Sequence, residues 1–248
     1  MLHCFAVKSC PLAYVLHRAV QLGLGLECAS IAEVKQALRC GCAPQRVVFD
    51  SPCKTRAELR FALSHRVHVN VNSLGELDKV AGVVAEWATQ GRGSEARGSV
   101  GLRINPLVGA GAIAELSTAT AHSKFGVPLL PIGTPGSAAQ RRTVLDLFEK
   151  HPFLTGLMCH VGSQGMPLST MTEGVRRLLA FADEVDAACG GRIELIDIGG
   201  GLSVNYEGDL SDPTLGAYAA ALAAECPSLF LHPRRRVVTG ASLTCCLF

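Results

Sequence analysis

Several side chains that could carry out covalent or acid–base chemistry stand directly after short apolar runs in this 248-residue sequence. Lys8 follows Cys4–Val7, and its neighbours are small or apolar. Partial desolvation of such a lysine would lower its pKa and free the amine for Schiff-base chemistry. By position alone, the simpler interpretation is a rim lysine whose stem lies on the protein while its ammonium group stays in water.

Three consecutive glycines form a second candidate site. Gly199, Gly200 and Gly201 follow the apolar run Ile193–Ile198. Glycines let backbone amides approach an anion closely, which favours phosphate binding over the alternative of a tight strand-to-helix turn. The spacing fits neither a Walker loop nor a dinucleotide-binding fingerprint.

A histidine ends another apolar run. His160 precedes Gly162-Ser163-Gln164 and could stack on a ring, transfer protons or bind a metal. The alternative is a hydrogen-bonded core histidine. Since no second histidine or carboxylate motif lies nearby in the sequence, a metal site is the least favoured of these interpretations, and we predict none.

The elements that must position these residues recur along the chain. Apolar strand-like runs begin near residues 4, 25, 47 and 68, a spacing of about 21 residues. Three of these runs are followed by Ser/Thr-x-x-Glu, which predicts capping boxes at Ser30, Thr55 and Ser73. Later strands are predicted at Val100–Ile104, Leu154–Val161, Ile193–Ile198 and, weakly, Leu229–Leu231, and later helices are predicted to begin at Thr170 and at Asp212-Pro213.

Alternating strands and helices imply parallel pairing through right-handed crossovers. We therefore predict an α/β fold, a parallel (β/α)8 TIM-like barrel, with an open doubly wound sheet as the alternative. Active sites of such barrels lie at the C-terminal ends of the strands. The candidates at these ends are Lys8, Glu27, Arg103, His160, Ser163, Gly199, Gly200, Gly201 and His232.

Composition narrows the class of protein. Hydrophobic residues make up 48% of the chain and charged residues 18%, enough for a full core and without the signature of disorder. The net charge is +2 and no basic stripe with interleaved aromatics occurs, so we expect no nucleic-acid partner. The 11 cysteines contain no Cys-x-x-Cys pair, which indicates a reducing compartment. We expect no secretory signal and no membrane span, and hence a cytoplasmic protein, or an organellar one if a targeting segment lies upstream.

Seven segments occur together in a recognisable order: Phe5-Ala6-Val7-Lys8, Leu26-Glu27-Cys28-Ala29-Ser30, Ser51-Pro52-Cys53-Lys54, Leu102-Arg103-Ile104-Asn105-Pro106, Ser123-Lys124-Phe125-Gly126, Cys159-His160-Val161-Gly162-Ser163-Gln164 and Asp197-Ile198-Gly199-Gly200-Gly201. This set resembles the ornithine/diaminopimelate/arginine decarboxylase family, whose fold is similar to that of alanine racemase. The resemblance covers nearly the whole chain. The Gly-Ser-Gln sequence after His160 is more similar to the diaminopimelate branch than to the ornithine branch.

The resemblance implies roles for the candidate residues, with pyridoxal 5′-phosphate as the cofactor. Lys8 would bind the cofactor covalently, and His160 would stack on its pyridine face. Ser163, Gly199, Gly200 and Gly201 would help to hold its phosphate. Glu27 would lie near the cofactor, Arg103 would help to orient it, and Lys124 would lie near a subunit interface.

The sequence departs from the family's pattern in three respects. Where the family has Glu-Pro-Gly-Arg, with a glutamate for the pyridine nitrogen, we align His232-Pro233-Arg234-Arg235. Relative to the family, residues 1–248 are expected to form a single barrel domain that is truncated at both ends. It would lack the C-terminal β domain that supplies a catalytic cysteine, and neither Cys245 nor Cys246 is expected to replace that cysteine.

The resemblance therefore leaves several functions open. The first is a decarboxylase, or its barrel fragment, acting on diaminopimelate in lysine biosynthesis or on a similar small basic amino acid. The second is an inactive cofactor-binding homologue that pairs with a full-length decarboxylase; a homodimer is the other expected assembly. The third is an ornithine- or arginine-decarboxylase-like role in polyamine synthesis. A barrel that has lost the cofactor and exposes an apolar face is a further alternative.

Overall fold

In a computed structural model of the chain, residues 1–93, 97–111, 117–164, 166–203 and 213–241 are described. Their strands are β1 Leu2–Ala6, β2 Gly25–Cys28, β3 Val47–Asp50, β4 His68–Val71, β5 Val100–Asn105, β6 Val127–Pro128, β7 Leu154–Met158, β8 Leu195–Asp197 and β9 Arg236–Ala241. Their helices are α1 Ala13–Gln21, α2 Ile31–Arg39, α3 Arg56–Ser64, α4 Leu74–Thr89, α5 Ser137–Lys150, α6 Leu168–Cys189, α7 Leu215–Glu225 and α8 Ser228–Leu231.

The strands close into a ring. Parallel pairing runs from β1 through β2, β3, β4, β5, β7, β8 and β9, and β9 pairs in turn with β1. The closing register sets Leu2 opposite Val238 and Cys4 opposite Gly240. The two-residue strand β6 only extends the edge of β5. The predicted closed parallel barrel is confirmed, and the open sheet is wrong because its edges would not pair.

Side-chain alternation divides the buried residues into two layers. One face of each strand packs against the helices, as at Phe5, Leu26 and Phe49. The other face points into the barrel, where the apolar cluster is small and consists of Cys4, Val48, Leu195 and Val238, with Leu2 packed against it. Much of the remaining interior is polar: His68, Asn70, Arg103 and Asp197 are all buried. The barrel thus has an apolar outer core and a largely polar interior.

Three helices begin where the Ser/Thr-x-x-Glu patterns predicted. The side chains of Ser30, Thr55 and Ser73 each accept the N–H of the glutamate three residues later. Only Thr55 and Glu58 form the reciprocal capping box. Glu33 and Glu76 instead accept the N–H of the residue before the cap, Ala29 and Asn72 respectively. The helix starts are confirmed, whereas two of the three capping boxes are wrong in detail.

The last predicted strand is also wrong. Leu229–Leu231 forms the helix α8 because the chain turns at Pro227, whose carbonyl accepts the N–H of Phe230. Only Leu229 of these three is buried. The eighth barrel strand is β9, where Val237 and Val238 are both buried.

Two helix starts are displaced from their predicted positions. α6 begins at Leu168, directly after Pro167, so Thr170 lies within the helix. α7 begins at Leu215, with the Thr214 side chain as its cap, and Asp212 lies outside the described residues. Within the described ranges, no helix has the length and apolar character needed to cross a membrane.

Candidate active site

A cavity of about 350 Å³ opens at the C-terminal ends of the barrel strands. Every residue that the family resemblance assigned to the catalytic or cofactor site lines it: Lys8, Glu27, Arg103, His160, Ser163, Gly199, Gly200 and Gly201. They come from β1, β2, β5, β7 and β8 or from the segments that follow these strands. Parallel closure explains this convergence, since it brings all the strand ends to one mouth.

Lys8 lies in a short 3-10 turn, Val7–Ser9, that follows β1. Its Nζ is 3.7 Å from Glu27 Oε1, and its side chain is 53% exposed whereas that of Glu27 is 17% exposed. Lys8 is therefore less buried than the sequence-based argument expected. Burial raises the pKa of Glu27, and the Lys8 cation partly opposes that shift. The amine stands at the cavity mouth, within reach of a ligand.

Arg103 is held inside the cavity by an ion pair that the sequence did not indicate. Its Nη1 donates to Asp50 Oδ2 at 2.9 Å, and both side chains are almost fully buried. The guanidinium also lies 4.5 Å from the centre of the Phe125 ring. These two contacts set the direction of Arg103 before any ligand binds.

His160 is presented as a neutral, flat ring. The N–H of Gly200 donates to His160 Nδ1 at 3.3 Å, so the ring proton is assigned to Nε2, which lies 3.4 Å from Ser163 Oγ. Burial, together with the nearby Arg103 and Lys8 cations, lowers the pKa of His160 to about 3. A neutral imidazole suits stacking better than it suits donation of a proton as an imidazolium.

The turn after β8 depends on glycine. Gly199 and Gly201 have φ of 65° and 115°, in the range that favours glycine. A Cβ on Gly201 would collide with the carbonyl oxygen of Gly162. The Gly199 N–H donates to Asp197 Oδ1 and the Gly200 N–H donates to His160. Within the described residues, only the N–H of Gly201 is left without a partner among these three amides, so the turn offers a phosphate fewer donors than the sequence suggested.

Asp197 was not assigned a role from the sequence, although it stands in one of the seven segments. It lines the cavity, and its carboxylate accepts the N–H of Gly199 and, at 2.9 Å, the amide of Asn70. Burial raises the pKa of Asp197 to about 7, with the Asp50 and Glu27 carboxylates adding to the shift. The only sequence signal was its place at a strand end before the glycines.

The raised pKa of Asp197 predicts a specific pH dependence of stability. The folded chain holds a proton on this group that the unfolded chain releases near pH 4, so the free energy of unfolding should fall as pH rises from about 4 to about 7, by an amount on the order of 4 kcal/mol. Asp197→Asn removes the titration. The free energy of unfolding of the wild type minus that of Asp197→Asn, measured by urea unfolding between pH 4 and 7, should therefore decrease with rising pH.

A matched control for Asp197→Asn is Asp146→Asn, at a half-exposed carboxylate on the surface. That change should leave the slope between pH 4 and 7 nearly unaltered. A constant difference between wild type and Asp197→Asn over the window would show that Asp197 titrates normally.

The alignment of His232-Pro233-Arg234-Arg235 with the family's Glu-Pro-Gly-Arg is wrong. These residues precede β9 and so lie at the N-terminal end of the barrel, away from the cavity. His232 Nε2 is 4.0 Å from Asp186 Oδ2, and Arg235 is buried against Asp183 and Asp186. The residues of β9 that line the cavity are Val238 and Gly240.

The remaining predicted position, Lys124, lies on the surface. Its Nζ is 5.3 Å from the Phe125 ring, and its carbonyl accepts the Asn72 amide at 3.1 Å. Its place at a subunit interface stays a prediction. In the described part of the chain, no group of three or more His, Cys, Asp or Glu side chains is arranged to hold a metal ion.

The cavity fits a flat, phosphorylated ring that carries a carbonyl group. A primary amine stands at its mouth, and a neutral imidazole ring, Ser163 and the turn Gly199–Gly201 line it. Among the described residues, the Gly201 N–H has no partner, and a Cβ at this position would collide with the backbone. These are the features that pyridoxal 5′-phosphate requires, although the site residues' individual roles stay predictions.

Comparisons with known proteins agree with this chemistry. A family model described as "Pyridoxal-dependent decarboxylase, pyridoxal binding domain" matches residues 1–240. Diaminopimelate decarboxylase of Pseudomonas aeruginosa is 34% identical over 97% of this chain and 55% of that protein. The Vibrio cholerae enzyme of the same name is 35% identical over 88% of this chain and 49% of that protein. The chain thus spans about half the length of the curated relatives it matches.

Solved structures show the same likeness. The crystal structure of diaminopimelate decarboxylase from Helicobacter pylori complexed with L-lysine superposes with a TM-score of 0.79 at 27% identity, over 97% of this chain and 57% of that one. An arginine decarboxylase from Paramecium bursaria Chlorella virus, at 20% identity and a TM-score of 0.70, shares the fold.

Proposed function

Because this chain belongs to the pyridoxal-dependent decarboxylase family, we propose that it is the cofactor-binding barrel of an amino-acid decarboxylase and that residues 1–248 act as one domain. The observation that carries the proposal is the convergence of Lys8, His160, Ser163 and the glycine turn on one cavity. The proposed substrate is diaminopimelate or a similar basic amino acid, since the similar curated proteins are diaminopimelate decarboxylases.

Each of these residues would have a distinct role in binding the cofactor. The Lys8 amine would hold pyridoxal 5′-phosphate covalently, while the N–H of Gly201 and the hydroxyl of Ser163 would bind its phosphate. The neutral His160 ring would support one face of the cofactor. When bound, the cofactor acts as an electron sink for the bond to the departing carboxylate.

Charges around the cavity would orient what enters it. The Arg103 guanidinium, fixed by Asp50, is the cation that can attract a carboxylate or phosphate oxygen without first changing conformation. Glu27, close to the Lys8 amine at 3.7 Å, can accept a proton from it or stabilise its charge. Asp197, with its pKa raised to about 7, can hold or release a proton near neutral pH at the cavity floor.

The test is release of labelled carbon dioxide by the purified chain supplied with pyridoxal 5′-phosphate. Carboxyl-labelled diaminopimelate, ornithine, arginine and lysine would be compared. We expect release from diaminopimelate above the others, and none from the Lys8→Ala variant. Release from ornithine or arginine instead would contradict diaminopimelate as the substrate and support the role in polyamine synthesis. No release from any of the four would contradict catalysis by this polypeptide.

We propose as a second candidate the function that the family resemblance left open, in which the chain binds the cofactor without turnover and pairs with a longer homologue. Altered activity of a full-length decarboxylase on mixing, together with co-elution of the two chains, would support this function. Separate elution and unchanged activity would contradict it.

A further inference from the structure

A second cavity, of about 620 Å³, lies at the opposite end of the barrel from the candidate active site. It is lined by the first residues of three strands, His68 of β4, Leu195 of β8 and Arg236 of β9. These are N-terminal strand ends, so the cavity is separate from the one that holds Lys8. The family comparison assigns nothing to this end.

The lining of this cavity is strongly basic. Arg66, Arg97, Arg234 and Arg236 surround it, and Glu194 is its one carboxylate. Within the described ranges, none of the four arginines forms an ion pair with a carboxylate; Arg97 Nη1 donates only to the carbonyl of Gly93, at 3.3 Å. Four cations and one carboxylate give this cavity a net positive charge, and the cations repel one another, so an anion bound here would be attracted and would reduce that repulsion.

The end of α3 directs one of these arginines towards the cavity. Arg66 has φ of 63° because it ends α3 as the left-handed residue of a Schellman turn, in which the Val67 N–H donates to the Ala62 carbonyl and the Arg66 N–H donates to the Leu63 carbonyl. Its residue lies in the turn between α3 and β4, and that turn brings its side chain to the cavity wall.

A hydrogen-bond chain connects this cavity to the active site through the barrel interior. His68 Nδ1 is 2.8 Å from Ser99 Oγ, and His68 Nε2 is 2.9 Å from Asn70 Oδ1. Asn70 Nδ2 in turn donates to Asp197 Oδ2 at 2.9 Å. His68 and Ser99 line the basic cavity, while Asp197 lines the active-site cavity. His68 therefore lines the basic cavity and is hydrogen-bonded, through Asn70, to a residue of the active-site cavity.

We propose that the basic cavity binds a multivalent phosphate-bearing anion of the di- or triphosphate class. Planar guanidinium groups bind phosphate oxygens through paired, charge-assisted hydrogen bonds, and several of them converge here. A monovalent anion would leave most of the charge uncompensated. The proposal does not depend on the decarboxylase function.

Calorimetric titration with inorganic pyrophosphate tests this site. Binding should weaken at least tenfold in Arg66→Gln and in Arg234→Gln, because each change removes a charge-assisted contact. Both side chains are exposed, so the variants should fold. Arg39→Gln, at an exposed arginine outside the cavity, is the matched control and should bind as the wild type does. Pyrophosphate should also shift the ring resonances of His68.

Ser163→Ala distinguishes the two ends of the barrel. If pyrophosphate binds only at the glycine turn, Ser163→Ala will weaken it and the arginine variants will not, which would overturn the proposal. Absence of binding to the wild-type chain, or equal affinity in Arg66→Gln, Arg234→Gln and Arg39→Gln, would also overturn it. Loss confined to Arg66→Gln and Arg234→Gln is the expected result.

Discussion

Replacing Glu76 with alanine is expected to lower the free energy of unfolding by about 3–5 kcal/mol, the usual loss when one partner of a buried ion pair is removed. Glu76 Oε2 is 2.8 Å from Lys54 Nζ, and the two side chains are 4% and 0% exposed. The same carboxylate accepts the backbone N–H groups of Lys54 and Asn72. The variant would leave the Lys54 ammonium group buried without its counter-ion and two backbone amides buried without an acceptor.

The Lys54–Glu76 pair also holds in place the backbone at the ends of β3 and β4, beside the active-site cavity. Lys54 Nζ donates to the carbonyls of Ser51 and Asn70, at 2.7 and 2.8 Å. The Ser51 carbonyl directly follows Asp50 at the C-terminal end of β3, and the Asn70 carbonyl lies near the C-terminal end of β4. The side chain of Asn70 donates a hydrogen bond to Asp197. Loss of Glu76 should therefore loosen the cavity as well as the fold.

Urea unfolding measures the expected loss. Glu149→Ala, which breaks an ion pair between two exposed side chains, is the control and should shift the midpoint far less. Lys54→Met/Glu76→Gln should recover part of the loss, because it removes both buried charges and keeps an acceptor oxygen for one of the two amides. A loss below about 1 kcal/mol in Glu76→Ala would contradict the assigned role of the pair.

The pH dependence of the Glu76→Ala loss has a definite sign. Burial lowers the pKa of Lys54, and Glu76 opposes that shift. Without Glu76 the folded chain should release the Lys54 proton more readily than the unfolded chain, so the variant should gain stability as pH rises. The deficit relative to the wild type should therefore shrink at alkaline pH.

Replacing Arg103 with methionine is expected to lower the free energy of unfolding by a similar amount, about 3–5 kcal/mol. Methionine fills comparable space but leaves the Asp50 carboxylate buried without its cation. Asp50 Oδ1 already lacks a hydrogen-bond partner, so among the described residues neither oxygen of this carboxylate would keep one. Asp50→Asn/Arg103→Met should recover part of it.

A second readout separates the electrostatic effect of Arg103 from general destabilisation. The Arg103 cation contributes to the lowered pKa of His160, so that pKa should rise in Arg103→Met. Nuclear magnetic resonance titration of the His160 ring measures it in the folded variant. An unchanged His160 pKa with a stability loss below about 1 kcal/mol would contradict the proposed role of Arg103 in the cavity.

The first half of the barrel could be predicted because its signals are local. A strand, a Ser or Thr cap and an amphipathic helix recur about every 21 residues, and each signal lies within a few positions of the next. The end of the barrel could not be predicted in this way. Leu229–Leu231 looks apolar enough for a strand, but the geometry at Pro227 turns it into a helix.

The candidate site was predictable only through the ordered set of segments. Lys8 by itself resembles a rim lysine, and its exposed position in the structure shows why. The partners that orient the site are remote in sequence: Asp50 meets Arg103 across 53 residues, and Asn70 meets Asp197 across 127. No local pattern encodes such pairings. The wrong alignment of His232 with the family's glutamate has a related cause. A match of four residues cannot be placed correctly unless the position of the neighbouring strand is known.

Identification of the lysine that binds the cofactor tests the central claim most directly. The purified chain would be mixed with pyridoxal 5′-phosphate, reduced with borohydride and digested, and the modified lysine located by mass spectrometry. We predict modification at Lys8, and its loss in the Lys8→Ala variant. Modification only at another lysine, such as Lys79 or Lys124, would contradict the account.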